Sequence, residues 1–98
     1  MSKPDKVKVW EWITGKQAHF HHDFWWDKAD LVDAELVQGC TWLSDVLNGL
    51  REKDFGVWIF KSGIIIHQFN PDRGGAVGEG PLPEALLAAC LKYIAHAS

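Results

Sequence analysis

The stretch FGVWIFKSGIIIHQFN, residues 55–70, decides how this chain of 98 residues folds. It contains two runs, residues 55–61 and 64–70, that flank Ser62-Gly63 and are rich in β-branched and aromatic side chains. The pattern predicts a β-hairpin, because glycine adopts the positive φ that a tight turn requires. Both runs are nearly apolar on two faces, so we expect central strands rather than edge strands, with Pro71 ending the second.

A helix is predicted before this hairpin. From Ala29 to about Lys53 the apolar residues recur at steps of three and four, which places them along one side of a helix. This stripe consists of Val32, Leu36, Cys40, Leu43, Val46, Leu47 and Leu50. Asp30 and Asp33 are alternative N-caps. Gly39 interrupts the stripe, so the segment forms either one helix or two.

A loop and a second helix are predicted after the hairpin. Residues 70–80 contain four glycines, which is typical of a turn-rich connection. Pro81 or Pro83 then begins a helix, because proline suits the first helical turn. The apolar side of this helix consists of Leu86, Leu87, Cys90, Leu91 and Ile94.

The N-terminal segment shows the two-residue period of β-strands. Residues 7–14 alternate, Gly15-Lys16 supplies a turn, and residues 18–26 alternate again, which predicts a first hairpin. On its second strand the alternation separates Ala18, Phe20, His22, Phe24 and Trp26 from His19, His21, Asp23 and Trp25.

The expected fold class is therefore α+β, in the order β-β-α-β-β-α. Strands that come as hairpins predict an antiparallel sheet, with the two helices packed on it. The length suits a single domain over residues 1–98, with residues 1–5 frayed.

The composition is that of a globular protein in a reducing compartment. The chain is 47% hydrophobic and 23% charged. Its net charge of -3 argues against binding to nucleic-acid phosphates. No segment approaches the ~20 apolar residues of a membrane span, and the polar start shows no leader, which predicts a cytoplasmic location. Cys40 and Cys90 are too few for a disulfide framework and lie in apolar helical patterns, as buried thiols do.

The segment from Trp42 to the C-terminus resembles a family of small phage proteins. The resemblance rests on a helix ending in Leu50-Arg51-Glu52-Lys53, the hairpin of residues 57–66, and a glycine-rich loop before residues 83–89, PEALLAA. It is similar to the helix-sheet-helix "ABA sandwich" proteins of tailed phages and prophages. The resemblance implies a phage accessory protein in the host cytoplasm. Such proteins often act by binding a host or defence protein, anti-CRISPR inhibitors among them.

Histidine and carboxylate side chains cluster on the second predicted strand. His19, His21 and Asp23 alternate, so all three are expected to project from one face. Imidazole and carboxylate groups bind Zn²⁺ and similar divalent ions, and Glu11 or His67 is a candidate further ligand. The pattern fits either a metal-binding module or metal-dependent hydrolase, or a polar strand face exposed to solvent.

Tryptophans lie on both faces of the first predicted hairpin. A two-stranded ribbon cannot bury both faces without a helix or a partner, so some of these rings are expected to be exposed. An acidic run begins in this hairpin and continues beyond it, and it is either a surface for a basic groove or a solvated helix start. The run consists of Asp23, Asp27, Asp30, Asp33 and Glu35. The predicted partner-binding residues are Trp10, Trp12, Trp25, Trp26, Asp27 and Asp30.

The sequence favours a binding protein over an enzyme. The glycine-rich loop lacks the Lys-Ser/Thr pair of a phosphate loop, and Glu79 would repel phosphate. Neither Ser44 nor Ser62 lies in a nucleophile motif. We therefore expect a protein partner, with no cofactor and no membrane, and with a homodimer as one form of the chain.

Overall fold

The structure, a computed structural model, describes residues 3–27, 36–39, 41–69 and 72–97. Within these ranges the elements are α1 (Asp5–Thr14), β1 (Ala18–His21), β2 (Phe24–Asp27), α2 (Trp42–Glu52), β3 (Phe55–Phe60), β4 (Gly63–Phe69), β5 (Asp72–Glu79) and α3 (Glu84–Ala97).

The predicted α+β class with antiparallel strands is confirmed, whereas the predicted order is wrong in part. The described elements run α-β-β-α-β-β-β-α, and the strands form a two-stranded and a three-stranded sheet instead of one sheet. The chain divides into two compact units, residues 1–47 and residues 48–98. The single domain over residues 1–98 stays a prediction.

The first predicted strand is a helix, α1. Its buried residues are Val7, Val9, Trp10 and Ile13, and their three- and four-residue spacings place them on one side of a helix, whereas strand alternation would put Trp10 on the face opposite the other three. Pro4 precedes the first turn, and Gly15 ends the helix with φ 71° and an N–H that donates to the carbonyl of Glu11 at 3.0 Å. Tertiary packing of a buried face therefore overrides the strand preference of valine and tryptophan here.

Two buried indoles connect α1 to the first turns of α2. Trp42 Nε1 donates to the carbonyl oxygen of Lys6 at 2.9 Å, and Trp10 Nε1 donates to Oδ2 of Asp45 at 3.3 Å. The ammonium group of Lys6 also lies 5.3 Å from the centre of a Trp42 ring. The core of the first unit contains Val7, Val9, Trp10, Ile13, Ala18, Val37, Trp42 and Val46.

The first hairpin of the structure is shorter than predicted and consists of β1 and β2. His22 and Asp23 form its two-residue turn, with φ values of 50° and 66°, the positive values that favour a hairpin with the twist of its strands. Because this turn breaks the alternation, one face carries Ala18, Phe20, Trp25 and Asp27, and the other carries His19, His21, Phe24 and Trp26. The predicted division of the side chains into two faces is therefore wrong after His21.

The predicted long helix begins later than expected. Leu36 pairs with Trp26 as an isolated β-bridge, and the N–H of Val37 donates to the carbonyl of Trp25 at 2.9 Å. Gly39 lies in the bend that follows, and α2 begins only at Trp42. Val32 and Cys40 of the predicted stripe, and the alternative N-caps Asp30 and Asp33, lie outside the described residues.

The second unit contains the predicted central hairpin. β3 and β4 pair around Lys61-Ser62, with Phe60 opposite Gly63, so the hairpin is confirmed. Its turn lies one residue earlier than predicted, because Gly63 is the first residue of β4 and does not have the positive φ expected of it. The sheet order is β3-β4-β5, which makes β4 the central strand and corrects the prediction that both strands are central.

The predicted glycine-rich loop is strand β5. Glycine at 78 allows close contact, since a Cβ there would overlap the carbonyl oxygen of Ala85 at the start of α3. Composition that is typical of turns therefore serves close packing of a strand against a helix.

Helix α3 is confirmed and begins directly after Pro83. It packs on β4 and β5. Its buried residues are Ala85, Leu86, Ala89, Cys90 and Tyr93, so its apolar side differs from the predicted one at Leu87, Leu91 and Ile94, which are only half-buried. Burial raises the pKa of the Cys90 thiol to about 12. Within the described ranges, none of the helices combines the length and the apolar character that crossing a membrane requires.

Candidate protein-binding surface

The three-stranded sheet has one face toward α3 and one face away from it. Tyr93 of α3 identifies the helix side, because its hydroxyl donates to Oε1 of Gln68 and its ring meets Phe55 at 5.0 Å. Phe55 and Gln68 are partners in the β3–β4 register. Since side chains alternate along a strand, the neighbouring positions belong to the opposite face. These positions are Gly56, Trp58 and Phe60 on β3, Ile65, His67 and Phe69 on β4, and Val77 on β5.

This opposite face is apolar and open to solvent. Trp58 is 44% exposed, Phe60 and Phe69 are each 54% exposed, and Val77 is 47% exposed. We call these four residues the sheet-face patch. Single exposed apolar residues are ordinary on protein surfaces, but a contiguous group marks an interaction site.

Ring contacts hold part of the sheet-face patch in a defined arrangement. The ring of Phe69 lies between Trp58, at 5.8 Å and 68°, and His67, at 4.7 Å and 46°. Both aromatic rings cover Gly56, where a Cβ would lie 2.5 Å from Cε2 of Phe69 and 2.7 Å from the Trp58 indole. The absence of a side chain at Gly56 therefore allows both rings to approach the backbone of the sheet at this position.

A shallow groove of about 310 Å³ continues from the patch. Its lining consists of Phe60, Ser62, Gly63, Ile64, Ile65, Val77, Gly78 and Glu79. Among these described residues, Glu79 is the one with a charged side chain. The groove is suited to an apolar side chain of a partner, with a cation or an N–H donor near Glu79.

The hairpin of the first unit is a second exposed aromatic surface. Phe20 and Phe24 are exposed, and Phe24 is the more open at 52%. Trp25 and Trp26 are half-buried. The Trp26 indole donates to the carbonyl of His21 at 2.9 Å, and the Lys3 ammonium lies 5.7 Å from the centre of a Trp25 ring. The two tryptophans are therefore committed to contacts within their own unit more than the phenylalanines are.

The structure separates the predicted partner-binding residues. Trp10 is 2% exposed and belongs to the core of the first unit, and Trp12 is half-buried on α1. The prediction that they are exposed assumed that residues 7–14 form a strand of a two-stranded ribbon. Because residues 5–14 are helical, that argument does not apply to Trp10 and Trp12. Trp25, Trp26 and Asp27 do lie together on β2, where Asp27 pairs with Lys16 at 3.4 Å. Asp30 lies outside the described residues.

The predicted metal ligands are also separated. His19 and His21 share a face of β1, with 6.3 Å between ring centroids, but Asp23 belongs to the turn and does not follow the alternation that placed it beside them. Glu11 is engaged by the Lys3 ammonium at 2.8 Å and by the N–H of Ala18 at 2.9 Å. His67, the other candidate ligand, contacts Phe69 in the second unit. Among the described residues, no three His, Cys, Asp or Glu side chains form a group that could hold an ion. Metal binding stays a prediction.

Sequence reasoning missed the sheet-face patch because it assigned Trp58, Phe60 and Phe69 to the core. The available signal was the number of covering elements: an antiparallel sheet commonly has one face packed and one face solvated. Sequence reasoning placed both predicted helices on one sheet, which hid that the sheet of the second unit has α3 on one face only.

Comparisons with known proteins do not place the chain in a family. No family model matches it, and neither a curated protein nor a solved structure matches it.

Proposed function

We propose that this protein acts by binding a protein partner and that the sheet-face patch is the centre of the contact surface. The observation that carries the proposal is the exposure of Trp58, Phe60 and Phe69 together on one sheet face. Aromatic side chains are the residues most enriched at the energetic centres of interfaces. The proposal moves the contact surface predicted from the sequence out of the first hairpin and onto the second unit.

The size of the sheet-face patch fits the centre of an interface. An aromatic side chain buries about 150–250 Å², so three half-exposed rings offer about 300 Å² to a partner. At about 25 cal/mol per Å², their burial contributes about 7.5 kcal/mol. Association itself costs about 4–15 kcal/mol. Burial of the patch alone therefore does not exceed the upper part of this cost, and further contacts around the patch are needed. A typical interface of about 800 Å² per partner provides them as a polar rim.

The finer proposal is that the chain is a phage accessory protein whose partner is a host protein, such as a component of a defence system. The resemblance of residues 42–98 to small phage proteins supports it. The net charge of -3 also supports it, because an acidic protein is suited to a basic groove that otherwise holds nucleic acid.

The proposal is tested with three matched bait proteins. Phe69→Ser removes a ring of the sheet-face patch, Phe24→Ser removes an equally exposed ring of the first hairpin, and Leu82→Ser alters an exposed apolar residue outside both surfaces. We expect proteins captured by the wild-type chain to be lost with Phe69→Ser and kept with the other two. Unchanged capture by Phe69→Ser, or loss with Phe24→Ser alone, would contradict the proposal.

The finer proposal has a separate readout. The wild-type chain, produced in bacteria that carry a defence system, is expected to raise the plating efficiency of a phage that the system restricts, whereas Phe69→Ser is not. Equal plating with and without the wild-type chain, over a panel of defence systems, would reject the inhibitor function and leave protein binding to the bait experiment.

A further inference from the structure

Strand β3 is an outer strand of the three-stranded sheet, and its hydrogen-bonding pattern fixes which groups point outward. The N–H of Phe69 donates to the carbonyl of Asp54 at 3.1 Å, so these residues face each other as a hydrogen-bonded pair. Such pairs alternate along an antiparallel ladder. Trp58 therefore directs its backbone groups toward β4, and Val57 and Ile59 direct theirs to the outer edge. Among the described residues, no hydrogen bond reaches those outward groups.

This edge lacks the features that prevent the edge strands of natural proteins from pairing with other chains. Such strands usually carry charged residues, prolines or bulges. The sequence of β3, FGVWIF, contains no charged residue and no proline, and its register with β4 is regular from Phe55 to Phe60. Its outer part is exposed on both faces of the sheet, since Ile59 on the helix side is 56% exposed and Trp58 on the other side is 44% exposed.

We infer that a second copy of this chain pairs with β3 edge to edge, in an antiparallel dimer with two-fold symmetry. A strand that adds to this edge must be apolar on both faces, because it continues both the Ile59 side and the Trp58 side. β3 itself has this composition, which makes the edge self-complementary, and a two-fold interface requires self-complementarity.

The pairing register follows from the outward groups. A two-fold axis that passes between Trp58 of one copy and Trp58 of the other places Val57 opposite Ile59 of the partner copy, so that outward groups meet outward groups in two hydrogen-bonded pairs. The same register places Gly56 opposite Phe60 of the partner copy, so that this ring lies beside the Trp58 and Phe69 rings that already cover Gly56. A shift of the partner by one residue would set the outward groups of one strand against the inward groups of the other.

Pairing in this way has a consequence for the sheet-face patch. Two three-stranded sheets joined at β3 form one continuous six-stranded sheet, because each contributes the order β3-β4-β5. Trp58 and Phe60 of both copies then lie side by side on the same face. The dimer therefore presents two sheet-face patches as one surface. This inference goes beyond the proposed function, because it means that a partner meets two sheet-face patches at once.

The test is the oligomeric state of matched charge variants, measured by sedimentation equilibrium. Ile59→Lys places a charge at the edge without altering the sheet-face patch, and Val77→Lys places a charge at a comparably exposed site of the patch on β5. We expect a wild-type dimer, a dissociation constant raised at least about tenfold in Ile59→Lys, and an unchanged dimer in Val77→Lys. Far-ultraviolet circular dichroism verifies that both variants are folded. A monomeric wild-type chain, or a dimer disrupted by Val77→Lys alone, would overturn the inference.

Amide hydrogen exchange distinguishes strand pairing from other dimers. The amides of Val57 and Ile59 are expected to become protected as the wild-type chain associates, while that of Trp58 is already protected by β4. In Ile59→Lys the protection of Val57 is lost and that of Trp58 remains. Equal exchange of Val57 in the associated and dissociated chain would overturn edge pairing. If the wild-type chain is monomeric but its capture of other proteins still depends on Phe69, this inference is wrong and the proposed function still holds.

Discussion

The ring of Phe69 meets the indole of Trp58 at 68°, with 5.8 Å between the ring centroids, although both side chains are about half-exposed. Edge-to-face pairs of this kind are favourable beyond the area they bury. The contact restrains two large side chains before any partner arrives, and a restrained surface loses less side-chain entropy on binding. The sheet-face patch therefore combines exposure with a defined shape, which distinguishes it from scattered surface residues.

Gly56→Ala tests this restraint. A Cβ at this position would displace the ends of the Phe69 and Trp58 side chains, which are free to move outward. We expect the free energy of unfolding to change by less than about 1 kcal/mol, because no backbone has to shift. Tryptophan fluorescence should change, and capture of partners should weaken. Unaltered fluorescence and capture would show that the position of these rings does not matter for binding.

Gly78→Ala is expected to be much more disruptive. The new Cβ would overlap the backbone carbonyl of Ala85, so α3 would have to move away from the sheet. Overpacking of this kind costs about 1–3 kcal/mol or more, measured as a lower free energy of unfolding in urea. Glu79→Ala, which alters an exposed residue of the same strand, is the control and should be nearly neutral. Equal stability of the two variants would contradict the close contact between β5 and α3.

Trp10→Ala and Trp25→Ala are expected to differ sharply in stability. Trp10 is buried and hydrogen-bonded to Asp45, and removing a buried tryptophan costs about 3–5 kcal/mol. Trp25 is half-buried in the hairpin, so its replacement should cost clearly less. Urea denaturation of both variants gives the comparison. A stable Trp10→Ala chain that no longer captures partners would restore Trp10 as a binding residue.

Cys90 is expected to make stability depend on alkaline pH. Burial raises its pKa in the folded chain to about 12 from an ordinary value near 9.0. The folded state thus favours the neutral thiol, and the contribution to stability is complete below about pH 9 and is lost as the pH rises toward 12. In a Cys40→Ser background, the free energy of unfolding should fall over this range more steeply than in Cys40→Ser, Cys90→Ala. If the free energies of unfolding of the two variants depend on pH in the same way, the thiol of Cys90 is not buried in the folded chain.

Local patterns predicted the second unit better than the first. The pairing of the two apolar runs on either side of residues 61–62 and the helix after Pro83 are encoded by neighbouring residues, through β-branched and aromatic runs, proline and apolar periodicity, although the turn does not use Gly63 as predicted. The strand prediction for residues 7–14 was wrong because Val7, Val9 and Ile13 also alternate, whereas the helical period is the one that places the buried Trp10 on the same side as these three. The loop prediction for β5 was wrong because its glycines serve tertiary contacts, Gly78 with the backbone of Ala85 in α3 and Gly75 with the backbone of Ile66 in β4.

The chemical type of the candidate site was predictable from the sequence, but its location was not. An excess of aromatic residues indicated an exposed aromatic surface, and the structure contains one. Its location depends on which sheet face α3 covers, a tertiary property that the pattern of Trp58, Phe60 and Phe69 does not contain.

Site-specific photo-crosslinking at position 69 tests the central claim most directly. A photoreactive phenylalanine analogue replaces Phe69 in the sheet-face patch, and in separate chains it replaces Phe24 and Leu82 as exposed controls. Irradiation in cells should give a discrete adduct with another protein from position 69 and none from position 82, and adducts between two copies of the chain are recognised by their mass. An adduct from position 24 alone, or none from position 69 beyond the position 82 control, would contradict the sheet-face patch as the binding surface.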